Sequence, residues 1–273
     1  LNALPAILQK IKNQKEPKKQ FLPLLQHPQF SALLKDREEL TIKNYPIEKL
    51  FDLGQYPRLR NLVIHDNKSL TELPHPLGDF PELYMFRLYS NKIKELPEAF
   101  FESMPKVEAV SMNDNKLESV PSSIRQLHAL KLLNLGKNAF AELPDFIGEL
   151  KELKHLYLSR NQLSSLPDSL ANLTKLEELD LSYNKKFKVI PEFLTKMDSL
   201  KRLDLTNNGY KTLPENFDQL SQVRLINLNS NKLSTLPDSI ANLKNLGGLM
   251  LYNNPIAKDE QERIQQLLPN TKI

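Results

Sequence analysis

The chain has 273 residues, 40% of them apolar, 26% charged and 7% aromatic, with a formal net charge of +4. That is material enough for a core and far from a disordered composition. There is no cysteine, which excludes disulfide frameworks, thiolate metal sites and cysteine nucleophiles.

The first 38 residues read as a helical N-terminal cap. Leu4, Ile7, Leu8 and Ile11 fall at helical spacing. Phe21, Leu24, Leu25, Phe30, Leu33 and Leu34 extend the apolar pattern, interrupted by Pro23 and Pro28. Between them, Lys10 to Lys19 holds five lysines and reads as a solvated connector. No stretch approaches the roughly 20 uncharged apolar residues of a membrane helix, so membrane insertion is not expected. No signal-peptide pattern opens the chain, which starts at Leu1 and is compatible with a trimmed leader.

At residue 39 the period changes. Glu39-Leu40-Thr41-Ile42-Lys43-Asn44 alternates as a strand does, and Ile42 lies 22 residues before Ile64. Residues 39–58 are therefore a degenerate first repeat. From Leu59 the frame is regular: Leu153-x-x-Leu156-x-Leu158-x-x-Asn161 is one copy, and eight others carry the same spacing. The nine asparagines are Asn67, Asn91, Asn115, Asn138, Asn161, Asn184, Asn208, Asn231 and Asn254, always 23 or 24 residues apart. Most are followed by x-Leu-x-x-Leu-Pro, as at Leu163, Leu166 and Pro167. This step explains why the chain has 19 prolines and only 7 glycines.

One repeat alone cannot bury its leucines. Alternation gives a short strand with one apolar face, and the Leu-Pro half gives a turn or short helical segment with another. Stacking copies buries both, with neighbouring strands parallel and about 4.8 Å apart. The asparagine amide carries donor and acceptor together and can satisfy backbone groups trapped where the chain turns. The prolines pre-set an extended backbone on the outer side. After Asn254 the pattern stops. Asp259 is placed as a helix N-cap with Glu262 three residues on; Ile264, Leu267 and Leu268 share a face, and Pro269 ends it. Residues 257–273 are thus a C-terminal cap helix, and 39–256 the repeat domain.

These nine units resemble the leucine-rich-repeat family in its 23-residue Leu-Pro form. The resemblance spans about residues 59–256. It implies an α/β solenoid: a curved horseshoe arc with a parallel β-sheet on the concave face, short helical or extended segments on the convex face, and helical caps at both ends. The absence of cysteine caps and the ending Asp259-Glu-Gln-Glu-Arg-Ile264-x-x-Leu267-Leu268-Pro269 look like small bacterial members, notably from spirochaetes. That resemblance implies secretion or surface display and contact with host proteins.

Nothing in the sequence points to catalysis or a cofactor. The histidines 27, 65, 75, 128 and 155 are scattered along the chain, only 65 and 75 sharing a unit, and no phosphate-binding, serine-hydrolase or metalloprotease motif occurs. Some bacterial relatives carry a ubiquitin-ligase domain, but that activity needs a cysteine. The repeats are nearly neutral and show no basic stripe interleaved with aromatics, so nucleic-acid binding is not expected.

Recognition then falls to the third, fifth and seventh positions of each unit, which alternate with the core leucines. Two clusters emerge. One is Tyr84, Met85, Arg87 and Tyr89, with Val63 and His65 on the previous strand. The other is His155, Tyr157, Glu178, Asp180, Arg202 and Asp204 on three adjacent strands. Tyr, Arg and Met are enriched at protein interfaces. Arg202 is expected to offset the neighbouring carboxylates of Asp180 and Asp204. Leu132 and Leu225 are exposed apolar residues in this frame. The reading is a non-catalytic module that binds a protein partner through the concave face. Two others stay open: an intracellular scaffold or regulator of a signalling protein, and a wall that binds divalent metal or carbohydrate.

Overall fold

A computed structural model describes residues 36–45, 48–50, 52–54 and 56–273. The helices and lysine connector expected over residues 1–34 lie outside them. The chain divides into two compact units, the first running to Lys116 and taking in Val120–Leu127, the second comprising Leu117–Ser119 and His128–Ile273.

The first unit holds four strands: β1 Glu39–Lys43, β2 Asn61–His65, β3 Met85–Tyr89 and β4 Ala109–Ser111. Each pairs in parallel with the next, Ile42 opposite Ile64 and Phe86 opposite Val110. The second unit holds six: β5 Leu132–Asn134, β6 His155–Tyr157, β7 Glu178–Asp180, β8 Arg202–Asp204, β9 Leu225–Asn227 and β10 Gly248–Met250. These too pair in parallel in chain order, so that Leu133, Leu156, Leu179, Leu203, Ile226 and Leu249 form one buried ladder. The architecture is the expected α/β repeat solenoid. Strand periodicity of two puts the middle residue inside and its flanks on the open face.

The Leu-Pro steps do what a fixed φ should. Pro121, Pro144, Pro167, Pro191, Pro214 and Pro237 all sit at φ between −64° and −69° with extended ψ. Behind them come single turns of 3₁₀ helix at Ser122–Gln126, Asp145–Glu149, Asp168–Asn172, Glu215–Gln219 and Asp238–Asn242, and one α-helical turn, α1, Glu192–Thr195. In the second unit these turns lean on one another through backbone. Ser169 Oγ donates to the carbonyl of Asp145 at 2.7 Å, as Ser239 Oγ does to Glu215. Gly148 sits where a methyl group would lie 2.2 Å from the Ser169 carbonyl oxygen. Gly148→Ala is therefore expected to lower stability by about 1–3 kcal/mol, because backbone and not a flexible side chain must move; urea unfolding measures it, and an unchanged midpoint would refute the contact.

The asparagine ladder is present and buried. Asn184 is fully buried; its Nδ2 donates to the carbonyls of Leu158 at 3.1 Å and Leu181 at 2.9 Å, and its Oδ1 accepts from the Leu163 N–H at 3.1 Å. Asn161, Asn208 and Asn231 repeat this with their own neighbours. In the first unit Asn67, Asn91 and Asn115 reach back to Ile42, Ile64 and Leu88. Before each of the nine amides stands a residue with left-handed φ between 53° and 60°, and Asn44, before Tyr45 in the degenerate first repeat, makes a tenth. None of these ten is glycine and none is β-branched. Five are Asn or Asp, whose short polar side chains tolerate this region.

After β10 the chain forms α2, Lys258–Leu267. Its N-cap position is Ala257 and not Asp259, with no side-chain cap bond. Asp259 and Glu260 instead occupy the first turn, where negative charge suits the helix dipole. Ile264 and Leu268 are buried beneath it. Arg263 is bonded to Asp238 and Glu260, and the Glu260 carboxyl, which also accepts from the Leu236 N–H, is held down to about 2, chiefly by Arg263. Lys272 then pairs in parallel with Gly248, the Leu249 N–H reaching its carbonyl at 2.8 Å.

Candidate functional site

The open strand face of the second unit carries the cluster on β6, β7 and β8. Parallel register sets His155 beside Glu178 and Glu178 beside Arg202, and likewise Tyr157 beside Asp180 and Asp180 beside Asp204. Glu178 is the hub. Its Oε2 accepts from the Tyr157 hydroxyl at 3.0 Å and lies 3.4 Å from His155 Nδ1; its Oε1 lies 3.5 Å from Arg202 Nε. The rings of His155 and Tyr157 are nearly parallel, 6.4 Å apart. Partial burial first, and then the bond to Glu178, push the Tyr157 hydroxyl up to about 12, so it stays a proton donor at neutral pH. A shallow cleft of about 210 Å³ opens beside it, lined also by Leu225, Asn227 and Met250. Asn227 and Met250 escape the pairwise reading of charges because they reach the cleft from strands further along the stack.

Arg202 does not sit between Asp180 and Asp204 as expected; it reaches Glu178 on the adjacent strand. The aspartates are held by a local device. Asp180 Oδ1 accepts from the Ser182 N–H, and Asp204 Oδ1 from the Thr206 N–H, each at 2.9 Å. Asn134 and Asn227 do the same for Gly136 and Asn229. A short side chain that bonds the backbone two residues on is a turn former. The fifth position therefore starts the turn that leads to the asparagine, and for Asp204 this structural use dominates. Its Oδ2 is taken by the Asn227 amide at 3.1 Å.

Burial raises the Asp204 carboxyl above its ordinary value of 3.8, with the neighbouring Asp180 charge adding to it and the Thr206 and Asn227 bonds opposing. A carboxyl raised in the folded state supports folding below its unfolded value and loses that support as pH rises through the folded one. Asp204→Asn removes this dependence. The melting temperature of the variant, relative to wild type, is expected to be more favourable at pH 7 than at pH 3; a pH-independent difference would show that Asp204 titrates normally.

Two seventh positions of this cluster's strands do not belong to the open face. Ser182 and Thr206 are buried, because the chain is already turning there. Leu132 and Leu225 are half-buried and not exposed. Among the described residues no three His, Asp or Glu side chains gather as a metal ion requires, so the divalent-metal reading is not carried further.

In the first unit the expected cluster separates. Met85, Arg87 and Tyr89 lie on β3, paired with Asn61, Val63 and His65. Tyr89 is stacked on His65 at 4.7 Å, and this stack buries His65. Arg87 is left as the exposed member of the strand. Tyr84 is not among them. It precedes the strand, is 41% exposed, and lines an edge groove with Arg58, Arg60, Glu82 and Lys106.

Family models match two segments: a leucine-rich repeat region over residues 106–188 and a leucine-rich repeat over 222–243. A comparison with curated proteins finds no match. Among solved structures, a leucine-rich-repeat protein of Leptospira interrogans is 25% identical over 99% of this chain and 98% of its own, with a TM-score of 0.35. Toll of Drosophila, in its complex with Spätzle, is 23% identical over 80% of this chain and 32% of its own, with a TM-score of 0.63. TLR13, in a complex with ssRNA13, is 27% identical over 78% of this chain and 31% of its own, with a TM-score of 0.60. The chain thus spans about a third of the last two proteins. The matched segments are the same units whose asparagines tie one strand to the next, and residues 106–188 and 222–243 carry leucine-rich repeats.

Proposed function

We propose that the chain is a non-catalytic protein-interaction module that takes a protein partner on the open strand face of its second unit. The observation that supports this is the linked set His155, Tyr157, Glu178 and Arg202 on β6 to β8. Tyr157 is already bonded to Glu178, and His155 and Arg202 lie within ion-pair distance of the same carboxylate, so less ordering is needed when a partner arrives. Tyr and Arg are the side chains that most often dominate interface energies. Arg87, Met85 and Tyr89 on β3 form a second, separate contact strip in the first unit. Display outside a bacterial cell, facing host proteins, is the setting we favour, from the cysteine-free Leu-Pro repeats alone.

The test is capture. Candidate host and bacterial lysates are passed over the wild-type protein and over Tyr157→Ala, Arg202→Ala and an outer-wall control, Ser239→Ala. A specifically retained protein is expected to be lost with Tyr157→Ala and Arg202→Ala, by about tenfold or more if either is a dominant contact, and kept with the control. Melting temperatures run in parallel separate lost binding from lost fold. Retention by both face variants would move the site elsewhere, and cell fractionation that finds only cytosolic protein would remove the extracellular setting.

A further inference from the structure

The near-neutral charge of the repeats conceals a segregation that only the stacked arrangement brings out. Consider the ribbon of each unit that runs from the residue before the ladder asparagine to the residue before the Leu-Pro proline. In the second unit this ribbon comprises residues 137–143, 160–166, 183–190, 207–213 and 230–236. It holds seven basic side chains and one acidic side chain, Glu142. Lys137 and Arg160 start it, Lys185, Lys186 and Lys188 form its centre, and Lys211 and Lys232 end it; all seven are exposed. The same ribbon in the three preceding units is balanced, with Lys68, Lys92, Lys94 and Lys116 against Asp66, Glu72, Glu95, Asp114 and Glu118.

The fold gathers these cations on the turn side of the stack, at several positions of the repeat: Lys137 and Arg160 stand just before their asparagines, Lys185 and Lys232 just after, and Lys186, Lys188 and Lys211 further along. The residues before the asparagines are tied unit to unit, Lys137 N–H to the Ser159 carbonyl at 2.7 Å, Arg160 to Ser182 at 2.8 Å and Tyr183 to Thr206 at 2.7 Å. Lys137 and Arg160, and likewise Lys188 and Lys211 counted back from the proline, thus stand at equivalent positions of adjacent units, about the parallel-strand spacing of 4.8 Å apart along the backbone and inside the Debye length of about 8 Å at physiological salt. Among the described residues none of the seven is ion-paired. Lys188 Nζ donates to the Asn208 carbonyl at 2.7 Å and Lys186 Nζ to the Gln162 amide oxygen at 3.4 Å, both neutral acceptors. Such a one-sign patch repels itself, and an anionic partner laid along it relieves the repulsion.

We infer that this basic ribbon docks an acidic polypeptide segment, one rich in Asp or Glu side chains. A polypeptide fits better than a nucleic acid, because single strands are held on open aromatic faces as well as on charge. The ribbon offers none. Phe140, Phe187 and Tyr210 are buried, and the Tyr183 ring is covered by the Arg160 guanidinium at 4.2 Å. The ribbon lies on the turn side of the strands, so it is independent of the open-face reading above.

The probe is a labelled poly-glutamate peptide, titrated against the full chain at low and physiological salt. Wild type is expected to bind, with affinity falling as salt rises. Reversing Lys185→Glu, Lys186→Glu and Lys211→Glu together is expected to weaken binding about tenfold or more, while Lys68→Glu, Lys92→Glu and Lys116→Glu together change it less than about twofold. Lys188 is left intact because it also bonds backbone. Should the reversed variant melt early, the Lys→Gln set at the same three positions replaces it, with an expected loss of about threefold or more. No binding at low salt, equal losses in both sets, or tighter binding of a single-stranded oligonucleotide of matched charge would overturn the assignment.

Discussion

Leu181→Ala is expected to cost about 2–5 kcal/mol of unfolding free energy, with Leu158→Ala close behind. Both side chains are fully buried, and each lies in mid-stack between two other repeats. The loss has two parts: the transfer energy of the deleted atoms and the cavity that a stacked wall cannot close without moving its neighbours. Their surroundings make collapse difficult. The Leu158 N–H is tied to the Asp180 carbonyl and the Leu181 N–H to that of Asp204, at 2.8 and 2.9 Å, so the backbone on either side is pinned. Chemical denaturation measures the effect. A loss below about 1 kcal/mol would mean that the wall relaxes as a loose array rather than a packed core.

Asn184→Ala is expected to cost about 2–4 kcal/mol, although it removes only one small side chain. The carbonyls of Leu158 and Leu181 keep a second donor each, from Asn161 and Asn208 at 2.9 and 3.0 Å. The buried N–H of Leu163 has no such reserve, since its acceptor is Asn184 Oδ1. An orphaned buried donor costs the full desolvation penalty of that group. Asn184→Asp makes a useful comparison: it keeps the acceptor for Leu163 but loses the amide donor and buries a charge, so it is expected to be worse at pH 7 and to recover in part near pH 4. Asn254→Ala, at a half-buried position in the last repeat, is expected to cost less than Asn184→Ala. Equal losses at both sites would show that burial does not govern the ladder.

The repeat itself was fully legible in the chain, because a 23- or 24-residue unit that cannot hide its own leucines has one way to do so. The buried asparagines, the parallel strands and the fixed φ of the prolines all follow from that. The site was legible only in part. Period-two alternation was extended from the third position to the seventh, but the strands of the second unit are three residues long, and the chain has left strand geometry by Ser182 and Thr206. Asp180 and Asp204 read as a charged pair because spacing along a sequence does not reveal that a carboxylate will turn back onto its own backbone. Arg202 was assigned to those aspartates for the same reason: a long side chain has several acceptors within reach, and geometry selects Glu178. Tyr84 was grouped with β3 by adjacency, yet a residue just before a strand faces the sheet edge and not its surface. The left-handed residue before each asparagine carries no shared residue type, so no pattern of letters announces it.

Beyond their own units, these ladder amides reach only the unit immediately before. Besides its bond to Leu181, Asn184 reaches Leu158 and Leu163, and besides its bond to Leu205, Asn208 reaches Leu181 and Asn184. No connection skips a copy, so a whole unit gained or lost in the interior leaves two joins of the same kind as before. Evolution can lengthen or shorten such a chain by gene duplication or excision without inventing new chemistry at the seam. What would change is the distance between the surfaces that partners touch, which makes the number of copies a ruler as much as a fold.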